Sequence, residues 1–466
     1  MVTPSAAAEQ PSGVAEKINA FLYRPVDIAP LAVFRVLMGI LAAAEGWGAI
    51  MTGWVRANYV DVSYNFNFIG FEFLHVLIGP QAYAIYFLLG AAGLGIAFGY
   101  RYRLSVAVYT VLWAAVYFGQ KTSYNNHYYL LLLMCILLLI VPAHRAVSLD
   151  VRNGRVAPAQ AVPYWSKWIF KILLLIVYTY AAIAKLYPDW LSGKAVEIFL
   201  SSRTHYPIIG PLCGERWFIM LISYGGIVFD FLVVPALWWR PTRGFAFVVS
   251  IGFHIFNSVV FHIGIFPYMM LICTVLYFDQ AVIRKLFFRR APLWAGTPAG
   301  LLLPSRSGAE IDKTKKVFLE VFLFGFIALM VLLPLRPFIY PGSPHWSEEG
   351  HRLSWHMMLR SKSGTVYYVI KDSEGVPLKA VHPAKELPHK QARSMATRPD
   401  KIWQYAQKLG DEYSELTSDT VQVYARSKVS LNGRPFYPMI DPEADLYAAE
   451  WSHIRPSPWI LPHPEL

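Results

Sequence analysis

Three cysteines in 466 residues are too few for a disulfide framework. Two of them, Cys135 and Cys273, fall inside apolar runs, where a cysteine behaves as a small hydrophobe. Thiol chemistry therefore gives no indication of compartment. Charge is also scarce: 15% of residues are charged against 55% hydrophobic, and the mean hydropathy is +0.38. No ordinary soluble domain needs so much apolar surface, and an integral membrane protein is expected. The first 25 residues lack an apolar core of their own, so no cleavable leader is expected and the first span directs insertion. HxxxH, HExxH and CxxC are all absent, so no metal site is expected. A GxSxG elbow and a phosphate-cradling glycine loop are absent too. The net charge of +12 is spread over loops rather than gathered on one face, which argues against nucleic-acid binding. There is no internal repeat, and without inverted repeats or paired broken helices a transporter is disfavoured.

What is present is long apolar runs. They lie at 31–51, 82–99, 104–119, 127–143, 168–187, 217–239, 244–261, 265–279 and 317–336, giving nine candidate spans, with eight and ten as alternatives. Fifteen Trp and 28 Tyr suit aromatic belts at two interfaces. Residues 66–79, interrupted by Asn67 and Glu72, read as interfacial. Alternate connections carry very different charge. One set holds Arg101, Arg103, Arg145, Arg152, Arg155, Arg240, Arg243, Arg284, Lys285, Arg289, Arg290, Arg306, Lys313, Lys315 and Lys316. The other holds only Arg56, Lys121, Lys194, Arg203 and Arg216. By the positive-inside rule the first set is cytoplasmic. Residues 1–30 are then a cytoplasmic segment, 31–336 a multi-span membrane domain, and 337–466 an extracytoplasmic domain, periplasmic in a bacterium or lumenal in a eukaryote. Residues 289–310 read as a cytoplasmic linker. In the last domain "TVYYVIKD" (365–372) and "TVQVYARSKVSL" (420–431) have strand character, and Asn432-Gly433 is a hairpin signal. A helical stretch begins at Pro399. The expected fold is an α-helical polytopic membrane protein with a small C-terminal α+β domain, mainly β.

Several polar residues fall in the outer half of the expected bilayer. His127 opens the fourth span and Lys185 closes the fifth. His254, Asn257, Ser258 and Phe261 share one helical face of the seventh, and His254 should lie about 12 Å below that helix's outer end. Each has an ordinary reading. Lys185 can snorkel to the interface, His127 can be an interfacial or capping residue, and Asn257 and Ser258 can bond neighbouring helices. An ionisable His254 at depth marks a functional site by default. Asp230, mid-span, must face protein or a partner cation. Lys167 and Lys171 read as snorkelling. A pocket of His, Lys and Asn in apolar walls suits an amphiphile with a polar ring and a lipid tail, such as a quinone or a phospholipid.

Four stretches, "RPVDIAPLAVFRVLMG" (24–39), "NNHYYL" (125–130), "AKLYPDW" (184–190) and "FHIFNSVVFHIGIFPYMML" (253–271), resemble the vitamin K-dependent gamma-glutamyl carboxylase family and its wider bacterial membrane domain. "YPGSPHWSEEGHRLSWHMMLRSKSG" (340–364) resembles that family's extracytoplasmic segment. The resemblance implies an enzyme that uses vitamin K hydroquinone or menaquinol, molecular oxygen and carbon dioxide. A side-chain base deprotonates the hydroquinone, and oxygenation turns it into a base strong enough to take a γ-proton from glutamate in a protein or peptide. The products are γ-carboxyglutamate and the quinone epoxide. The resemblance implies Lys185 as the catalytic base and His127 as its partner toward the quinol. It places Asn126, His254, Asn257 and Ser258 around the cofactor. The animal enzymes carry a lysine before the catalytic one, where this chain has Ala184, and their lumenal region is longer. Two other functions stay open: a quinol epoxidase without glutamate carboxylation, and a non-catalytic quinone- or lipid-binding membrane protein.

Overall fold

Helices occupy all nine apolar positions in a computed structural model that describes residues 13–288 and 312–465. The expected linker at 289–310 lies outside the described residues. In chain order the helices are α1 (Ala29–Met51), α2 (Gln81–Phe98), α3 (Tyr102–Gly119), α4 (Asn126–Ile140), α5 (Trp165–Ile183), α6 (Arg216–Trp238), α7 (Arg240–Phe261), α8 (Phe266–Thr274) and α9 (Lys313–Leu332). Among the described residues only six are long and apolar enough to cross a membrane: α1, α2, α5, α6, α7, and α9 with its continuation to Ile339. By this measure of length and composition the expected count of about nine spans is not confirmed. The 15 residues of α4 reach about 22 Å, short of a hydrocarbon core of roughly 30 Å. The nine residues of α8 reach less. Both start on the wall of a cavity, α4 with Asn126 and His127 and α8 with Phe266.

The bundle is built on close contact between α1 and α2. A Cβ at Gly39 would sit 2.3 Å from the Ala97 backbone nitrogen, and one at Gly93 2.4 Å from that of Ala43. Small residues at this seam let the two backbones touch. At one end of α1, Arg35 is fully buried and donates to the carbonyls of Ala97, Ala143, Ala146 and Val147. Its charge is thus spread over backbone oxygens that would otherwise lack partners.

The C-terminal region contains β1 (Lys362–Lys371), β2 (Pro377–Val381) and β3 (Gln422–Leu431), an antiparallel sheet in the order β2-β1-β3. Helix α10 (Pro399–Thr417) covers it through Ile402, Tyr405 and Leu409, which pack on Tyr368, Val423 and Ala425. The two strands and the helix read from the sequence are therefore present. The expected domain is α+β, mainly β; it has helices beside a small sheet, and among the described residues no fourth strand follows β3. Asn432 and Gly433 do turn the chain, at φ 49° and 74°, yet it returns along β3 only through the isolated bridges Val429–Tyr437 and Tyr424–Asp445. Pro435, Pro438 and Pro442 follow closely, and proline cannot donate to a ladder.

The segment read as interfacial fastens the two parts together. Phe66 is buried in the core of the C-terminal domain beside Trp346 and Tyr405. Next to it, Lys121 lies 2.5 Å and Arg352 2.8 Å from the Asp400 carboxylate, all buried. Burial pushes the Asp400 carboxyl up, but Arg352 and Lys121 outweigh it and hold it well below its ordinary 3.8. A carboxyl lowered by folding contributes stability that is complete above 3.8 and disappears as the pH falls toward its folded value. Asp400→Asn should therefore cost about 3–5 kcal/mol at neutral pH by stranding two buried cations. It should also lose less further stability than the wild type below about pH 4. Denaturation in detergent followed by Trp fluorescence measures both, and equal acid losses would refute the assignment.

Candidate active site

Lys185 stands just past the end of α5, in a last turn closed by Pro188 at the start of the next helix. Only 8% of it is exposed. Its Nζ donates to Asp230 Oδ2 at 2.5 Å and to the Ala181 carbonyl at 3.1 Å, and it faces the Trp190 ring at 5.5 Å. Lys185 therefore does not snorkel, and its partner is the mid-span acid of α6. Three contacts hold this turn to the C-terminal domain. Asp189 accepts from Asn432 at 2.7 Å and from both terminal nitrogens of Arg434, at 2.5 and 2.7 Å. The Tyr187 hydroxyl donates to the Leu359 carbonyl. The Asn-Gly turn thus serves as an anchor for the loop after Lys185.

Lys185 and Asp230 line a cavity of about 1010 Å³ between the bundle and the C-terminal domain. His127 lies on the same wall, in the first turn of α4. Asn125 caps that helix by accepting from the Tyr128 amide at 2.8 Å. Asn126 accepts from Tyr124 and donates to the His356 carbonyl at 2.9 Å, so its amide fixes the start of the helix. The His127 ring rests against Phe266.

Asn257 also reaches the cavity and makes no hydrogen bond with a described residue. His254 and Ser258 do not line it. Four residues spread over a helical face at 3.6 per turn cannot all point one way. Ser258 turns to Tyr268, 3.1 Å away, rather than to the cavity where it was expected. His254 is buried one layer back among Phe229, Phe253 and Phe266. Its Nε2 meets the hydroxyl of Tyr178 at 3.0 Å, and Tyr178 is on the wall.

The cavity has two unlike ends. Toward the bundle its walls are Val196, Phe199, Ile222, Phe229, Phe253 and Phe266. Toward the domain they are His351, His356, Arg360, Lys362, Arg393 and Arg398. Glu348 neutralises Arg360 through two contacts and Lys362 at 3.2 Å. Burial pushes Glu348 up, but Arg360 and Lys362 together hold its carboxyl well below the usual range. Burial brings Lys362 down to about 7 against the pull of Glu348, and His356 down to about 4. Arg393 and Arg398 make no direct ion pair with a carboxylate among the described residues; Arg398 donates to Ser394 and feels Glu348 and Asp400 from farther off. Glu348, Leu353, Trp355 and Met358 all have positive φ, between 49° and 64°. Non-glycine residues avoid this region, and such strain concentrates at functional sites. The basic end and this strained segment gave no signal in the sequence beyond the quoted resemblance. Asp230 was visible there as a charge without a partner.

Among the described residues no group of His, Cys, Asp and Glu could hold a metal. Two family models match the chain: "HTTM domain" over residues 23–281, and "Vitamin K-dependent gamma-carboxylase, lumenal domain" over residues 315–465. No solved structure matches it. The first match covers more than half of the chain and the second nearly all of the region beyond the linker, so the chain belongs to the HTTM-containing gamma-glutamyl carboxylase family.

Proposed function

We propose that the chain carboxylates glutamate in a protein or peptide at the expense of a reduced naphthoquinone, vitamin K hydroquinone or menaquinol, on the outer side of a membrane. The observation that carries this reading is the Lys185–Asp230 pair, buried in the wall of a cavity with one apolar and one cationic end. The residues present suit such a cofactor. Phe229, Phe253 and Phe266 offer apolar walls for its ring and tail, and the unpaired Asn257 amide and the His127 ring offer polar contacts. When bound, the reduced quinone supplies, with oxygen, a base stronger than any side chain.

Lys185 then acts as a relay. Its Nζ passes one proton to Asp230 Oδ2 across the 2.5 Å contact and takes one from a hydroxyl in the cavity. The carboxylate charge is replaced by an oxyanion beside the same ammonium, so the cavity gains no net charge. Asn126 holds His127 in place, and Tyr178, backed by His254, closes the wall. Arg393 and Arg398 hold the glutamate carboxylate, which supports carboxylation rather than quinol oxidation alone. Carbon dioxide meets the glutamyl carbanion in a water-poor space, which protects it from protonation. The basic connections lie on the cytoplasmic side, and the C-terminal domain is periplasmic or lumenal.

The test uses full-length protein in detergent with reduced vitamin K, oxygen, labelled carbon dioxide and a glutamate-rich peptide, following epoxide and fixed label together. Lys185→Ala should lose both products by at least about 10²-fold. Lys185→Arg should lose them too while staying folded, since a guanidinium keeps the ion pair but does not deprotonate. Epoxide without label in the wild type would make the chain a quinol epoxidase. Neither product would leave it a quinone- or lipid-binding protein. Asp230→Asn, which cannot take the proton, should lower turnover by about 10²; unchanged turnover would remove Asp230 from the relay. Arg393→Gln should raise the peptide KM about tenfold with kcat little altered.

A further inference from the structure

Lys167 and Lys171 stand in the first two turns of α5, at the end of the bundle away from the cavity. The sequence reading has both snorkelling to water. They are instead only 8% and 7% exposed, and neither ammonium has a hydrogen-bond or ion-pair partner among the described residues. Three rings face Lys171 Nζ: Tyr277 at 4.8 Å, Trp238 at 5.4 Å and Tyr164 at 5.8 Å. The Arg24 guanidinium lies 4.0 Å from the centre of the same Tyr164 ring and also lacks a carboxylate.

The neighbouring acids are already engaged. Asp279 takes Arg240 at 2.9 Å and Arg243 at 3.3 Å. Asp27 takes Arg284 at 2.7 Å. Six cations thus share two carboxylates. Burying an ion is costly unless it is paired, and aromatic faces recover only part of that cost. The arrangement lacks an anion.

We propose that this cluster, at the start of α5, the end of α6 and Tyr277, binds the phosphate of an anionic phospholipid. Lys167, Lys171 and Arg24 are its ligands. Tyr164 and Trp238 are residue types that sit at headgroup level. Basic pockets between helices at that depth recognise anionic headgroups. The position favours a lipid over a free ion, because Lys171 lies a full turn farther along α5 than Lys167, toward the middle of an apolar helix, and three rings face it. This site is independent of the reaction proposed for the cavity.

The test is native mass spectrometry of the full-length protein, released from detergent with phosphatidylglycerol or phosphatidylcholine present, together with thermal unfolding in each lipid. Wild type should retain phosphatidylglycerol in preference to phosphatidylcholine and unfold at a higher temperature with it. The preference should fall about fivefold for each basic residue removed, in a Lys167→Gln, Lys171→Gln double variant. Arg24→Gln, at an exposed position, gives the same reading if the double variant does not fold. Equal retention of the two lipids, an unaltered preference in the variants, or the whole thermal shift produced by inorganic phosphate would each overturn the proposal.

Discussion

A lysine inside an apolar bundle persists only with a counter-charge in reach, and Asp230 is that counter-charge. The pair constrains much of the architecture around it. Helix α5 must end where Lys185 meets the middle of α6, which fixes the register of the two helices. The turn after Lys185 then projects into the junction, where Asp189 and Tyr187 find partners on the C-terminal domain. Removing either charge of a buried pair costs more than the pair itself contributes. The site is therefore stable only as a unit.

The junction repeats the same principle with different residues. Lys121 and Arg352 share Asp400, one from each part of the molecule, and Asn126 bonds the His356 backbone. These ties are polar and buried, so each depends on its partner being in place. Between them runs the segment 348–358, whose left-handed residues are held against their intrinsic preference. That segment presents Glu348, His351 and His356 to the cavity from a backbone course that no regular element would provide.

Much of the bundle was legible because lipid-facing helices must be apolar and continuous. Every apolar run proved helical. The span count was not legible, since apolarity alone does not distinguish a full crossing from a helix that starts at a cavity, as α4 and α8 do. Lys185, His127 and Asn257 line one cavity, while Ser258 does not, because helical spacing fixes a face only to within a quarter turn. The basic end was hidden for a different reason. Arg360, Lys362, Arg393 and Arg398 come from a polar domain where charge is unremarked, and only the tertiary fold turns them inward. The strand pair β1–β3 followed from alternation, but the proline-rich return after Gly433 left the sheet at three strands.

The two-part wall has a consequence for how the molecule comes into being. The helices that bear Lys185, Asp230 and His127 are all made before residue 262, whereas the segment that roofs them begins near residue 348. During synthesis the bundle therefore carries an open groove for as long as the remaining chain is being made and folded. Only docking of the finished domain completes the cavity's wall. The order of residues along the chain acts as a timer, and a truncated or misfolded product is left with half of a cavity wall.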